Sequence, residues 1–180
     1  NLGLMHQIKV LDIPAGKFRD KGVPIDNLCN YDSAKEYIIQ VLDAQTMIHN
    51  TLLFATAKSM LKVMDGELLN ASKRTVQATK LSEDELIAVI AANWSEESED
   101  KVVLQTKDGV FLKFPYAEIP KKKKSALGVR GMKLSKDDLV TNVYVMDAQN
   151  ISSIMYKEKE LEFNRLKLSK RDTKGTKVRR

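Results

Sequence analysis

The sequence is poor in the residues that build covalent or metal-bound frameworks. Its 180 residues include a single cysteine, Cys29, and only two histidines, His6 and His49. One cysteine cannot form an internal disulfide, and these three residues lack metal-ligand spacing, so we predict no metal site and no cofactor. Apolar runs such as Leu86–Ala92 are too short to cross a bilayer as a helix. We therefore expect a protein of the reducing cytoplasm, with no membrane segment.

No catalytic set stands out among the polar residues. Paired carboxylates occur at Asp84-Glu85 and at Asp137-Asp138, at corresponding turns of two internally similar stretches. Carboxylates in such positions stabilise turns by accepting hydrogen bonds from nearby backbone amides. The five tyrosines lie in no recognisable strand-cleaving context. We predict that this chain contains no catalytic residues.

Positive charge is concentrated in two places. The net charge is +6, yet residues 121–133 hold six basic residues and no acid, and residues 165–180 hold eight basic residues and the single acid Asp172. The remainder of the chain is therefore net acidic. Concentrated positive charge on an otherwise acidic body is typical of a surface that binds a polyanion. The alternative is a solvated loop followed by a disordered basic tail.

The chain repeats itself. Residues 1–14 resemble residues 107–120 at an offset of 106, with a glycine and an Ile-Pro pair in matching places. Residues 80–86 resemble residues 133–139 at an offset of 53. Self-similarity at a fixed period is the signature of a repeat architecture, and here the unit is about 50 residues long and occurs about four times.

A shorter match supports the same period. The triplet Leu61-Lys62-Val63 resembles Leu112-Lys113-Phe114. We expect one domain, itself a piece of a longer protein because position 1 is not methionine. Its predicted repeats are approximately 1–48, 49–98, 99–148 and 149–180.

The third repeat shows the secondary structure of the unit most clearly. Lys101–Thr106 is an apolar run with β-branched residues, Asp108-Gly109 predicts a tight hairpin turn, and Val110–Phe114 is the return strand. After a basic loop, Val129–Leu134 predicts a third strand and Leu139–Met146 a fourth. Four strands in a repeat of this length make a propeller blade. We predict an all-β propeller of about four four-stranded blades, with little helix.

These features together resemble the repeat of the C-terminal domain of bacterial DNA gyrase A subunits and of the homologous topoisomerase IV subunit. The stretch from Ile119 to Leu139 carries the best match, with Ile-Pro, four lysines, Gly-Val-Arg-Gly and Asp-Asp-Leu in order. The resemblance implies a β-pinwheel, which is a propeller whose blades exchange strands, and a basic outer rim that bends DNA. The fragment would be non-catalytic, and its parent would be an ATP-dependent type II topoisomerase of the bacterial cytoplasm, associated with the nucleoid. The implied partners are double-stranded DNA, the ATPase subunit of the topoisomerase, and the upstream domains of the same polypeptide.

A gyrase-type heptad is present only in altered form. In gyrase A subunits the motif is Gln-basic-Arg-Gly-Gly-basic-Gly, and the resemblance implies that it is needed for full wrapping of DNA. Residues 169–175 read Ser-Lys-Arg-Asp-Thr-Lys-Gly, so Asp172 and Thr173 stand where the motif has its two central glycines. The motif also lies in the last repeat, whereas the family has it in the first. These departures favour a topoisomerase IV-like or a degenerate gyrase-like protein, with bending but weak wrapping.

The candidate DNA-binding residues are the cations of the loops that recur between strands. A rigid convex body that presents lysine and arginine at repeating spacing can bind phosphates without reading sequence. The alternative function is a propeller that binds an acidic protein partner through the same surface. The candidates are Lys17, Arg19, Lys21, Lys73, Arg74, Lys121, Lys122, Lys123, Lys124, Arg130, Lys170, Arg171, Lys174 and Lys177.

Overall fold

A computed structural model describes residues 1–147 and 153–178, and the regular secondary structure in these ranges is almost entirely β-strands and short 3-10 turns. One short helix, α1 (Ala44–His49), begins where the Asp43 carboxylate accepts a hydrogen bond from the Thr46 amide. No helix in these ranges has the length and apolar character to cross a membrane. The strands of the described residues are, in chain order, β1 (Leu4–His6), β2 (Thr51–Thr56), β3 (Met60–Asp65), β4 (Thr75–Gln77), β5 (Leu86–Ala92), β6 (Lys101–Thr106), β7 (Val110–Pro115), β8 (Val129–Arg130), β9 (Val140–Met146), β10 (Ser153–Tyr156), β11 (Lys159–Glu162) and β12 (Thr176–Lys177).

A tight hairpin forms where the sequence predicts one, and two further hairpins have the corresponding place in their repeats. The β6–β7 turn places Gly109 at φ 78°, in the left-handed region that glycine adopts without steric cost. The β2–β3 turn puts Ser59 at φ 68° in the corresponding place. The β10–β11 turn has both Lys157 and Glu158 at positive φ, as a two-residue type I′ hairpin requires. The hairpin predicted at Asp108-Gly109 is confirmed, and the second and fourth repeats each have a hairpin in the same place.

The sheets exchange strands between repeats. One four-stranded sheet has the order β5-β2-β3-β8 and the other β9-β6-β7-β12, so each takes three strands from one repeat and its last strand from the next. β4 of the second repeat likewise pairs with β1 of the first. The third strand predicted at Val129–Leu134 is shorter, Val129–Arg130, and it completes the sheet of the preceding repeat.

The fold prediction is confirmed as all-β and propeller-like, with two complete four-stranded sheets and two two-stranded sheets, β1–β4 and β10–β11, in the described residues. Residues 13–43 form no strand there. The boundary drawn at 148 between the third and fourth repeats lies outside the described residues. Through this exchange the short fourth repeat supplies β12, which completes the sheet of the third repeat.

A recurring backbone hydrogen bond fixes which residues are equivalent. The carbonyls of Gly3, Ser59 and Gly109 accept from the amides of Ala78, Gly131 and Val178, at 2.8, 2.6 and 3.0 Å. Because Ser59 and Gly109 are equivalent, their return strands align at an offset of 50.

This alignment corrects the triplet match made from the sequence. Lys62 corresponds to Leu112, not to Lys113. A one-residue shift along a strand moves a side chain to the other face of the sheet. Lys62 and Lys113 therefore lie on opposite faces of their sheets.

The main hydrophobic core lies between the two four-stranded sheets. Alternate residues of β2 and β3, among them Leu53 and Val63, pack against alternate residues of β6 and β7, among them Leu104 and Phe114. All four are essentially inaccessible to solvent. Alternation at period two gives each sheet a second apolar face, and separate clusters fill those faces. The blades are thus fixed rigidly, and the loops between strands lie on a stable frame.

Candidate nucleic-acid interface

The loops that precede the exchanged strands lie at the outer edge of the propeller. The two four-stranded sheets approach each other at their β5 and β9 edges. The exchanged strands β8 and β12 occupy the opposite edges of the same sheets. The chain reaches each of these strands through a loop, so both loops lie at the sheet edges opposite to those where β5 and β9 approach each other.

Two of these loops are built alike. We call residues 121–128 the lysine loop and residues 168–175 the fourth-repeat loop. Lys121 forms an isolated parallel β-bridge with Val63 of β3, and Leu168 forms one with Lys113 of β7. Residues of the two loops therefore correspond at an offset of 47 positions. The next amide in each loop donates to the same strand residue, at 2.7 and 2.9 Å. The two loops have equal length, and each crosses the return strand of the preceding repeat.

A glycine ends each loop for a steric reason. A Cβ on Gly128 would lie 2.4 Å from the Leu61 carbonyl oxygen, and one on Gly175 would lie 2.6 Å from the Phe111 carbonyl oxygen. Any other residue would force the loop away from the strand that it crosses. The last glycine of the altered heptad is therefore required by the backbone here.

The lysine loop is held from beneath by a buried lysine. The Lys62 ammonium donates to the carbonyl oxygens of Lys123, Lys124 and Ala126, at 3.2, 2.9 and 2.8 Å. Only 1% of Lys62 is exposed. Burial lowers the pKa of this ammonium to about 8. Sequence reasoning counted Lys62 as part of a strand, and its position inside an apolar run was the available signal.

The side chains of the lysine loop are largely free for an external anion. Lys121 forms an ion pair with Asp65 at 2.6 Å, and its ammonium lies 5.8 Å from the centre of the Trp94 ring. Lys122 and Lys123 are exposed and Lys124 is half-buried. These three form no ion pair within residues 1–147 and 153–178.

In the fourth-repeat loop the arginine is used internally. The Arg171 amide donates to the Glu118 carboxylate at 2.7 Å, and its guanidinium donates to the backbone carbonyls of Glu118 and Arg130 at 3.1 and 2.6 Å. Arg171 therefore ties the fourth repeat to the third. Lys170 and Lys174 remain exposed in this loop.

Asp172 forms an ion pair with a second candidate DNA-binding residue, Arg130. Its carboxylate accepts two hydrogen bonds from the Arg130 guanidinium, one of them at 3.1 Å from Nη2. The bonded Arg130 lowers the pKa of Asp172, and Asp172 raises the pKa of Arg130. Asp172 lies at φ 60°, so the backbone here has the left-handed form that a glycine of the heptad would adopt.

The other candidates are distributed around the first two repeats and the last strand. Lys73 and Arg74 are exposed in the loop before β4, and Arg74 lies 4.0 Å from Asp12 of the first repeat. Lys177 is exposed on β12. Lys17, Arg19 and Lys21 are exposed too, but they lie in a segment without strands, unlike the loops that precede β4, β8 and β12.

Fold and edge loops together define a class: a strand-exchanging β-propeller with cationic loops at its outer edge. A family model described as "DNA gyrase C-terminal domain, beta-propeller" matches residues 50–93 and 100–145, which is half of the chain. The chain belongs to that family.

Individual relatives agree with the family model. The DNA gyrase A protein of Lawsonia intracellularis is 31% identical over 159 residues, covering 86% of this chain and 19% of the relative. The DNA gyrase A protein of Chlamydia muridarum is 31% identical over 156 residues, covering 84% and 18%. The chain thus spans about a fifth of the length of these relatives.

Solved structures share the fold. The crystal structure of the C-terminal domain of DNA topoisomerase IV superposes with a TM-score of 0.78 at 20% identity, covering 94% of this chain and 53% of that chain. A DNA gyrase A C-terminal domain superposes with a TM-score of 0.71 at 22% identity, covering 98% and 57%. At these identities the likeness establishes the architecture.

Proposed function

We propose that this chain binds duplex DNA without reading its sequence and bends it along the outer edge of the propeller. In the bacterial cytoplasm, at the nucleoid, it would present that DNA to the catalytic core of an ATP-dependent type II topoisomerase. The ATPase subunit of that enzyme and the upstream domains of the same polypeptide would be its protein partners. The observation that carries the proposal is the lysine loop, which offers three lysines that form no ion pair with any described residue.

Counterion release supplies the binding free energy. Duplex DNA carries about one negative charge per 1.7 Å of its axis, and cations that replace condensed counterions raise affinity in a salt-dependent way. Exposed lysines at successive edge loops would contact phosphates at several points. Smooth bending of a short duplex by about 40–90° costs roughly 1–6 kcal/mol, which several simultaneous contacts can offset.

The altered heptad supports bending with weak chiral wrapping. Arg130 and Arg171 lie at the place where the third and fourth repeats meet, and both are engaged by protein acceptors. Fewer cations are therefore available to continue DNA around the propeller from the lysine loop to the fourth-repeat loop.

The test is binding of mixed-sequence duplexes across a salt series. We expect affinities that vary little with sequence and fall steeply between about 50 and 200 mM salt. Changing Lys121, Lys122, Lys123 and Lys124 to Ala should lower the slope of log affinity against log salt by roughly 0.9 for each lost phosphate contact. An acidic polypeptide such as polyglutamate serves as competitor. If it displaces DNA at equal charge concentration and the fourfold variant binds DNA normally, the acidic-partner alternative replaces the proposal.

A further inference from the structure

We propose that Lys62 is a positioning residue for DNA binding: its buried ammonium holds the lysine loop in the conformation that presents lysines to phosphate. The inference rests on the proposed function, because it assigns to Lys62 a role in that same surface. Lys62 itself does not contact solvent, so it would act through the loop and not through DNA.

Every N–H donor of the Lys62 ammonium has a hydrogen-bond acceptor. A lysine ammonium has three N–H donors, and here three carbonyl oxygens of the lysine loop lie within hydrogen-bonding distance. A buried charge is tolerated only when its donors have hydrogen-bond acceptors. If the loop lost this conformation, the Lys62 ammonium would be buried without acceptors, which is energetically costly. The loop and the buried ammonium therefore stabilise each other.

The same carbonyls close the turn inside the loop. The Ala126 amide donates to the Lys123 carbonyl at 3.1 Å, and that carbonyl also accepts from Lys62. The Lys80 amide donates to the Lys124 carbonyl at 3.2 Å from the neighbouring turn. Inward-facing carbonyls hold the backbone in one conformation, which reduces the conformational entropy that the loop would lose on binding.

The equivalent loop lacks this support. Lys62 corresponds to Leu112, which has no donor to offer the fourth-repeat loop. Lys113, the buried lysine of the second sheet, donates to the carbonyls of Phe163 and Asn164, which lie before that loop. Of these two loops, only the lysine loop is held by a buried ammonium in the described residues.

The matched pair Lys62→Met and Lys113→Met provides the experiment. Each removes one buried ammonium and keeps an apolar side chain of similar length. Amide hydrogen exchange in the free protein is measured at Ala126 and, as an internal reference, at Ser169, whose amide donates to the Lys113 carbonyl. DNA affinity is measured for both variants in the native background and in the fourfold lysine-to-alanine background.

We expect Lys62→Met to accelerate exchange at Ala126 about tenfold and to lower DNA affinity about fivefold, with Ser169 unchanged. Lys113→Met should leave Ala126 unchanged. In the fourfold background Lys62→Met should have no further effect on DNA affinity, because the side chains that it positions are gone.

Two results would overturn the inference: unchanged Ala126 exchange in Lys62→Met, or an affinity loss of equal size in the fourfold background. If the fourfold variant binds DNA as tightly as the native chain, the proposed function fails, and the exchange data then decide separately whether Lys62 orders the loop. Should Lys62→Met not fold, the native chain answers the question by NMR. A Lys62 ¹⁵Nζ signal that persists in water supports the cage of three carbonyls, and a signal lost as fast as those of surface lysines contradicts it.

Discussion

The lysine loop and the fourth-repeat loop have the same length, the same anchoring hydrogen bond and the same terminal glycine, yet they use charge in opposite ways. The first presents three lysines that have no ion pair among residues 1–147 and 153–178, and a buried ammonium holds its backbone. The second uses its arginine for backbone contacts and places a carboxylate against the arginine of β8. The number of basic residues in a segment therefore differs from the number of cations that it can offer to DNA.

The largest expected effect comes from removing the cations of one loop at a time. Changing Lys121 through Lys124 to Ala should weaken binding to a mixed-sequence duplex at least about tenfold at moderate salt, because three phosphate contacts are lost. Changing Lys170 and Lys174 to Ala should weaken it only about threefold. Fluorescence anisotropy at several salt concentrations measures both. Equal losses would show that the loops contribute alike and would remove the contrast between them.

Arg171 should matter for stability more than for DNA. Arg171→Met removes hydrogen bonds to two backbone carbonyls, Glu118 and Arg130, and should lower the free energy of unfolding by about 1–2 kcal/mol. Lys170→Met, on the adjacent exposed residue, is the control and should change it by less than about 0.5 kcal/mol. Urea unfolding followed by circular dichroism gives both values. Indistinguishable stabilities would return Arg171 to the set of DNA-binding residues.

Releasing Arg130 should strengthen DNA binding modestly. Asp172→Asn keeps a residue that tolerates positive φ and removes the charge that pairs with Arg130, so affinity should rise about threefold. In a chain that already carries Arg130→Gln, adding Asp172→Asn should not raise DNA affinity. Asp172→Gly with Thr173→Gly, which restores the central glycines of the heptad, should also tighten binding. An unchanged affinity in Asp172→Asn would mean that Arg130 faces no phosphate.

The smallest expected effect is a pH dependence of the same pair. Arg130 makes the pKa of Asp172 lower in the folded chain than in the unfolded chain. Its contribution to stability is therefore complete above the unfolded value of about 3.9 and disappears as the pH falls through the folded value below it. The difference in unfolding free energy between the native chain and Asp172→Asn should shrink from pH 5 to about pH 2.5. A difference that stays constant across this range would contradict the ion pair.

Local signals in the sequence were sufficient for the hairpins and for the repeat. Asp108-Gly109 requires a tight turn, and alternation in β6 and β9 identifies half-buried strands. Strand exchange came from the family resemblance, because the spacing of strands along a chain does not state which sheet the last strand joins. The register of Lys62 was predicted one position off, since Leu-Lys followed by an apolar residue occurs on both strands but faces opposite ways.

The sequence predicted which basic residues the candidate site contains, but not the contacts that those residues make. The fourteen cations named from the sequence are mostly at the surface. This exposure was predictable because lysine and arginine are rarely buried. The partners of Arg130 and Arg171 could not be foreseen, because Asp172 and Glu118 approach them only through packing of one repeat against the next. The roles of Arg130 and Arg171 are set by tertiary contacts with residues that lie more than forty positions away in the sequence.

Bending of a short duplex tests the central claim most directly. A duplex of about 40 base pairs with a fluorophore at each end reports the distance between its ends by energy transfer, and it is stiff on that scale when free. We expect energy transfer to rise when the native chain binds. At protein concentrations that saturate both proteins, transfer should rise much less with the chain in which Lys121, Lys122, Lys123 and Lys124 are Ala. Saturated binding by the native chain with the ends no closer than in free DNA would show a protein that holds DNA straight, and it would contradict the proposed bending.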